Sequence, residues 1–202
     1  MLVGGVGGQL PEQASKLLKM ANENAERLSA LINDLLDFEK LEYGGMRFEY
    51  AQHNLVQIVR QAVETNQGYA QKFSVKLLLL IEESEIKVNT DDSRLIQVLS
   101  NLLSNAIKFS PPQSCVEIEL TRVARHCKIS VIDHGTGIAD SYKARIFEKF
   151  SQADGSVRRK YAGTGLGLSL AKLMIEKMGG EIGFSSIEGQ GATFYIVLPV
   201  EV

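Results

Sequence analysis

Cysteine is scarce in this sequence, with only Cys115 and Cys127. Two thiols twelve residues apart fit no metal-binding spacing, and they are expected to sit reduced, as in a cytosolic protein. An excess of either charge is also missing. Lys and Arg number 22 against 24 Asp and Glu, a net of −2, so no global basic field points to nucleic acid or an anionic membrane. The apolar runs, such as LLLLI at 77–81, are far too short to span a bilayer. The amino end carries no secretory pattern of basic, apolar and small residues. What remains is 202 residues, 45% hydrophobic and 23% charged, enough for one large domain or one domain with an appendage. Function has to be read from local motifs.

Glycines crowd residues 2–10, LVGGVGGQL, which read as a turn or linker. A long helix follows from Pro11, with proline allowed in the first turn and Glu12 favourable at the positive dipole end. Ala14, Leu17, Ala21, Asn24, Leu28, Leu31, Leu35 and Phe38 alternate spacings of three and four, a narrow seam that asks for a partner helix. Gly44-Gly45 ends it. Downstream the pattern predicts strands at 46–50, 75–81, 86–88, 115–123, 127–132, 181–186 and 192–199, and helices at 54–71, 91–110 and 166–178. Asp91 or Asp92 is the expected cap of the second of these, and Pro111-Pro112 its stop. Residues 134–165 are glycine-broken, charged and too long for a simple connection. Helices segregated from a mostly antiparallel sheet give the expected class, α+β, a two-layer α/β sandwich behind a long coiled-coil-like helix.

The chemistry gathers in a few stretches. In NLLSNAIKFS, 101–110, Asn101 and Asn105 lie one turn apart on a single helical face, where a core would prefer leucine. Three glycine clusters follow: DHGTG at 133–137, GTGLG at 163–167 and GQG at 189–191. Glycine allows close backbone approach and leaves amides free for phosphate oxygens. The second cluster opens into a helix, whose first amides form a natural anion site. Asp133 ends an apolar strand and needs a donor, although a carboxylate there can simply cap the next turn. No partner at metal spacing appears for His53, His126 or His134, and His134 is expected to be exposed and not catalytic.

These motifs, in this order, resemble the ATP-binding catalytic domain of sensor histidine kinases, within the superfamily that includes gyrase, Hsp90 and MutL. NLLSNAIKFS resembles the N box, DHGTG the first glycine box, IFEKF at 146–150 the F box, GTGLGL the second glycine box and GQGATF the last one. The resemblance covers residues 46–200 and implies a Bergerat-type fold that binds ATP and Mg²⁺. It gives Asn105 to the metal and Asn101 to the metal-bound water or phosphate, with Lys108 reaching phosphate as a point charge. Related ATPases that hydrolyse with water carry a glutamate general base where this chain has asparagine, which favours phosphoryl transfer over hydrolysis. Asp133 would receive the adenine amine, with Gly135, Gly137 and Ile138 beside the base and Thr193 at the adenine end, while Phe194 belongs to the core. Residues 147–165 would form a lid over the nucleotide. Phe147 and Phe150 would anchor its base, and Arg158, Arg159 or Lys160 would meet the phosphates, Arg159 in a catalytic role. Gly163, Thr164, Gly165, Leu166, Gly167 and Leu168 would close the phosphate end.

No histidine followed by an acidic residue stands on a hairpin helix. Residues 1–45 instead resemble the turn and second helix of a dimerising histidine-phosphotransfer hairpin, and 46–202 the catalytic domain. The expectation is therefore a fragment with an introduced Met1 that binds ATP but cannot phosphorylate itself. Its γ-phosphoryl would go to a histidine on the missing helix and then to the receiver domain of a response regulator. Homodimerisation through the hairpin, a cytoplasmic location and no nucleic-acid partner complete that reading. A catalytically degenerate nucleotide-binding signalling module and an anti-sigma-factor-type serine kinase are the alternatives; the long helix disfavours the latter.

Overall fold

The computed structural model describes residues 11–151 and 164–200, apart from the side chains of Glu23 and Arg27. Helix α1, Glu12–Glu42, is followed by strand β1, Ala51–Asn54, and helix α2, Leu55–Lys72. Strands β2, Lys76–Ile81, and β3, Lys87–Thr90, lead to helix α3, Asp92–Phe109. Strands β4, Cys115–Val123, and β5, His126–Asp133, form a hairpin, and a short helix α4, Asp140–Lys143, lies in the connection after it. Helix α5, Gly167–Lys177, and strands β6, Glu181–Ser186, and β7, Ala192–Pro199, close the chain.

Five strands pair in the order β2-β4-β5-β7-β6, and β1 pairs with β3 in a separate ribbon. Among the described strands only β2 and β4 run parallel; the other pairs are antiparallel. Burial alternates along the strands as a one-sided sheet requires. Val116, Ile118 and Leu120 of β4 and Ala192, Phe194, Ile196 and Leu198 of β7 are buried against the helical layer. Cys115, Glu117 and Glu119 take the other face, where they are only half-buried. The two-layer sandwich expected from the pattern is the architecture found, and Phe194 is in the core.

Helix α3 is the keystone of the helical layer. Leu95, Val98, Leu99, Leu102, Leu103, Ala106 and Ile107 are buried on it, and each but the alanine contributes roughly 1.5–3 kcal/mol of transfer free energy. Asp91 caps it, its carboxylate accepting hydrogen bonds from the Arg94 amide at 3.0 Å, the Ser93 hydroxyl at 2.7 Å and the Glu49 amide at 2.9 Å. Burial works to raise the Asp91 pKa, but these hydrogen bonds and the nearby Arg94 outweigh it and hold the carboxyl below its ordinary value.

One strand is misplaced in the sequence reading. Residues 46–50 are irregular, and the strand lies at Ala51–Asn54 instead. The partner explains the shift: β3 offers only four residues, and their register opposes Ala51 to Thr90 and Asn54 to Lys87. The amide of Glu49 is already committed to Asp91. On α1, Phe38 and Leu41 are buried, while Leu17, Leu28 and Leu35 of the seam are 66%, 59% and 44% exposed. The expected seam therefore exists, but this chain covers only its carboxyl-terminal end.

Candidate functional site

A cavity of about 620 Å³ opens between α3, α5 and the end of the connection after α4. Asn101, Asn105 and Lys108 line it from α3, and Thr164, Gly165, Gly167 and Leu168 from the start of α5. Asn101 and Asn105 are half-buried on the flank of the apolar stripe. That placement answers why amides occupy a helix otherwise made of leucine: they face the cavity, and the leucines face the sheet. The Asn105 amide nitrogen donates to the Asn101 Oδ1 at 3.0 Å, which leaves the Asn105 oxygen as the atom able to meet a cation. Lys108 carries its ammonium 5.4 Å from the centre of the Phe109 ring.

The helix that opposes these amides can approach because of one missing methyl. A Cβ at Gly167 would collide with the Asn101 Nδ2 and stand 2.9 Å from its Oδ1, closer than real Cβ contacts come. Glycine at the head of α5 thus lets its amino end close on Asn101. The preceding turn uses Gly165 at φ +74°, backed against the Phe150 backbone, and Leu166 behind it is buried. Thr164 reaches out of the motif: its hydroxyl donates to Asp34 on α1 at 2.9 Å. Burial is the main cause that raises the Asp34 pKa; the Thr164 bond opposes it and neighbouring Asp37 adds to it.

Asp133 is 6% exposed at the end of β5. Its Oδ1 accepts from the Gly135 amide at 2.9 Å and from the Ala192 amide at 3.3 Å. Desolvation still raises its pKa, against those two bonds and the charge of His134. So it both caps the turn, as the plainer reading held, and keeps a second oxygen for another donor. Gly135 packs against the backbone of Phe109 at the end of α3, and Gly137, at φ +64°, against the backbone of Ile187. This is the close approach that bound the glycine box to its place. The Ile138 amide donates to the Ser186 hydroxyl at 2.9 Å, and Thr193 pairs with Ile132 across β5 and β7. Asp133, Gly135, Gly137, Ile138 and Thr193 are not in the lining of the cavity; Gly135 packs on the backbone of Phe109, which is.

Three sequence expectations need correction or completion. Phe147 packs edge-on against Phe184 with ring centres 5.9 Å apart, but Phe150 is 61% exposed with φ +58°. Among the described residues Phe150 therefore packs into no core; Ile146 is the buried residue there. Arg158, Arg159, Lys160 and Gly163 fall outside the described residues, as does most of the expected lid. His134 is exposed as expected, yet it meets Glu117 at 3.1 Å, and Cys115 stands beside both. Linear spacing could not show this cluster, because antiparallel pairing assembles it. Sequence reasoning also missed Asp34, Asn66, Tyr69 and Ser151 in the cavity wall. Ser151 Oγ is buried without a hydrogen-bond partner among the described residues. No motif marks these positions, and the Asp34–Thr164 contact spans 130 residues.

Comparison with known proteins agrees with this geometry. Residues 90–202 match the model for the histidine kinase-, DNA gyrase B-, and HSP90-like ATPase, and residues 2–44 match that for the His Kinase A (phospho-acceptor) domain. Circadian input-output histidine kinase CikA of Synechococcus elongatus is 38% identical over 194 residues, 95% of this chain and 26% of CikA. Sensor protein GacS of Pseudomonas syringae pv. syringae is 36% identical over 181 residues, 87% of this chain and 20% of GacS. The crystal structure of full-length ShkA in complex with AMPPNP superposes with a TM-score of 0.80 at 27% identity, over 97% of this chain and 41% of ShkA. The chain thus spans about a fifth to a quarter of the two curated relatives. With its amide-bearing helix, its glycine turns and a match over more than half its length, this chain belongs to the histidine kinase-, DNA gyrase B-, and HSP90-like ATPase family.

Proposed function

We propose that this chain is the ATP-binding catalytic part of a two-component sensor histidine kinase, which transfers the γ-phosphoryl of Mg-ATP to a histidine. The observation that carries the reading is the hydrogen-bonded pair Asn101–Asn105 set against the glycine-opened head of α5 in one cavity. Phosphates would rest on the α5 amides, where the helix dipole favours anions, with Lys108 adding a positive charge. The residues fit magnesium: Asn105 offers a hard, neutral oxygen, and the ion takes its other ligands from phosphates and water. The metal would neutralise charge that develops on the transferred group. Asp133 would accept the adenine amine through its second oxygen. Gly163, and Arg159 and Lys160 as phosphate contacts, belong to the same proposal.

An asparagine pair favours transfer over hydrolysis. Amides hold metal and water in place but take no proton, so water gains no general base from this helix. The acceptor would lie outside this sequence, since residues 2–44 contain no histidine. We further assign residues 1–45 to a dimerising phospho-acceptor hairpin and 46–202 to the catalytic domain. The exposed leucines of α1 suit a second copy of that helix, and a receiver domain would take the phosphoryl onward. Among the described residues no helix is long and apolar enough to cross a membrane.

The test is transfer in trans. The chain is mixed with Mg²⁺, γ-labelled ATP and a separate polypeptide that carries a histidine-bearing hairpin helix. Acid-labile, base-stable label on that polypeptide is expected. Nucleotide binding without any transfer would instead support a degenerate signalling module, and label stable to acid would support a serine kinase.

A further inference from the structure

On the face of the sheet away from the helices, three different metal-ligating side chains converge. Cys115 and Glu117 are two residues apart on β4, so both point to that open face. His134 follows the last residue of β5, one step beyond the Val116–Asp133 pair, which brings it opposite Cys115. The Cys115 Sγ is 3.7 Å from Glu117 Oε1, and His134 Nε2 is 3.1 Å from the same oxygen. All three ligand atoms lie within 4.8 Å of one another.

We propose that Cys115, Glu117 and His134 form a binding site for a zinc-like divalent transition metal, separate from the nucleotide cavity. Tetrahedral zinc, with bonds of roughly 2.0 Å to nitrogen or oxygen and 2.3 Å to sulfur, holds its donors about 3.3–3.6 Å apart. Both separations from the Glu117 oxygen are within a few tenths of an ångström of that span, and the Cys115 Sγ and His134 Nε2, within 4.8 Å of each other, would draw together on an ion by rotation of the exposed imidazole. The donor set decides the class of ion. Thiolate, imidazole and carboxylate together suit zinc, cobalt or nickel, whereas magnesium and calcium require oxygen shells. Two of the donors are half-buried on a paired strand, and exposed His134 completes the set from the neighbouring one. Three protein ligands leave the fourth position to water. His134 directly follows Asp133, so an ion here would tie down the strand end that carries that carboxylate.

Cobalt is the probe, because cobalt bound by thiolate gives an intense near-ultraviolet charge-transfer band. The full chain, stripped of metal, is titrated with Co²⁺ and then with Zn²⁺. The expected result is a band that saturates at one equivalent and is displaced by equimolar zinc. Cys115→Ser removes the band. His134→Asn, at an exposed position, weakens cobalt binding by at least about tenfold. Cys127, the other thiol of the sequence, is fully buried and cannot supply the band. A wild-type chain without the band at millimolar cobalt overturns the proposal. So does a band that survives Cys115→Ser, or one unchanged by His134→Asn.

Discussion

Replacing Gly167 with alanine sets two effects against each other. Alanine is the better helix former by up to about 1 kcal/mol in a helix interior, and less at the first position of α5. Against this, the new Cβ would stand 2.9 Å from the Asn101 Oδ1 and 3.0 Å from its Cγ. Ordinary contact begins at 3.4 Å, and the Asn101 Nδ2 lies nearer still than the oxygen, so the amide must retreat by well over 0.5 Å. That oxygen accepts the 3.0 Å bond from Asn105, and a bond already near the middle of its range weakens over such a displacement. Its loss costs roughly 0.5–1.5 kcal/mol, which the helix propensity largely offsets. Global stability is therefore expected to change by less than about 1 kcal/mol. Binding has no such offset, because both amides leave the positions from which, on the proposed function, they would face metal and phosphate. The expected loss of Mg-ATP affinity is at least tenfold, about 1.4 kcal/mol. Calorimetric titration measures the affinity, and urea unfolding on the same protein measures the stability. Undiminished affinity in a folded Gly167→Ala chain would refute the proposed closeness of α5 to the asparagine pair.

Asp133→Asn should separate binding from stability with opposite signs. Burial raises the folded pKa of this carboxyl, so its contribution to stability declines as pH rises from 3.8 through the folded value; at pH 7 the variant should be at least as stable. Nucleotide affinity should nevertheless fall by about 10- to 150-fold, the worth of a charged hydrogen bond, and wild-type affinity should weaken on acidification as Asp133 protonates. Asp91→Ala should cost about 1–2 kcal/mol by removing the cap of α3. Because the Asp91 pKa is depressed, that stability is present above pH 3.8 and lost as pH falls through the folded value, which unfolding curves across that window would show. Alkylation followed by mass spectrometry should label Cys115 well before Cys127, whose thiol burial pushes up to about 11; equal rates would contradict the packing of β5.

Much of this was legible in the sequence because single residues carried it. The apolar stripe of α3, the capping Asp91 and the prolines after Phe109 mark one helix without tertiary information. The alternation in 192–199 marks β7 as firmly. The strand at 51–54 was not legible, since its place is set by a four-residue partner and not by its own pattern. The asparagine pair and the second glycine turn were legible as neighbours, and both line the cavity. Asp34 was invisible because an acidic residue on the polar face of a long helix looks like solvated surface until Thr164 is brought to it. The Cys115, Glu117 and His134 cluster was hidden for a related reason: cross-strand register, not spacing along the chain, makes them neighbours.

Titration calorimetry of the full chain with ATP, in the presence and absence of Mg²⁺ and alongside Asn105→Ala, bears most directly on the proposed role of the cavity. One nucleotide per chain is expected, bound more tightly with magnesium in the wild type and with that dependence lost in Asn105→Ala. A folded wild-type chain that shows no heat of binding at millimolar Mg-ATP, or an Asn105→Ala variant with undiminished magnesium dependence, would contradict it.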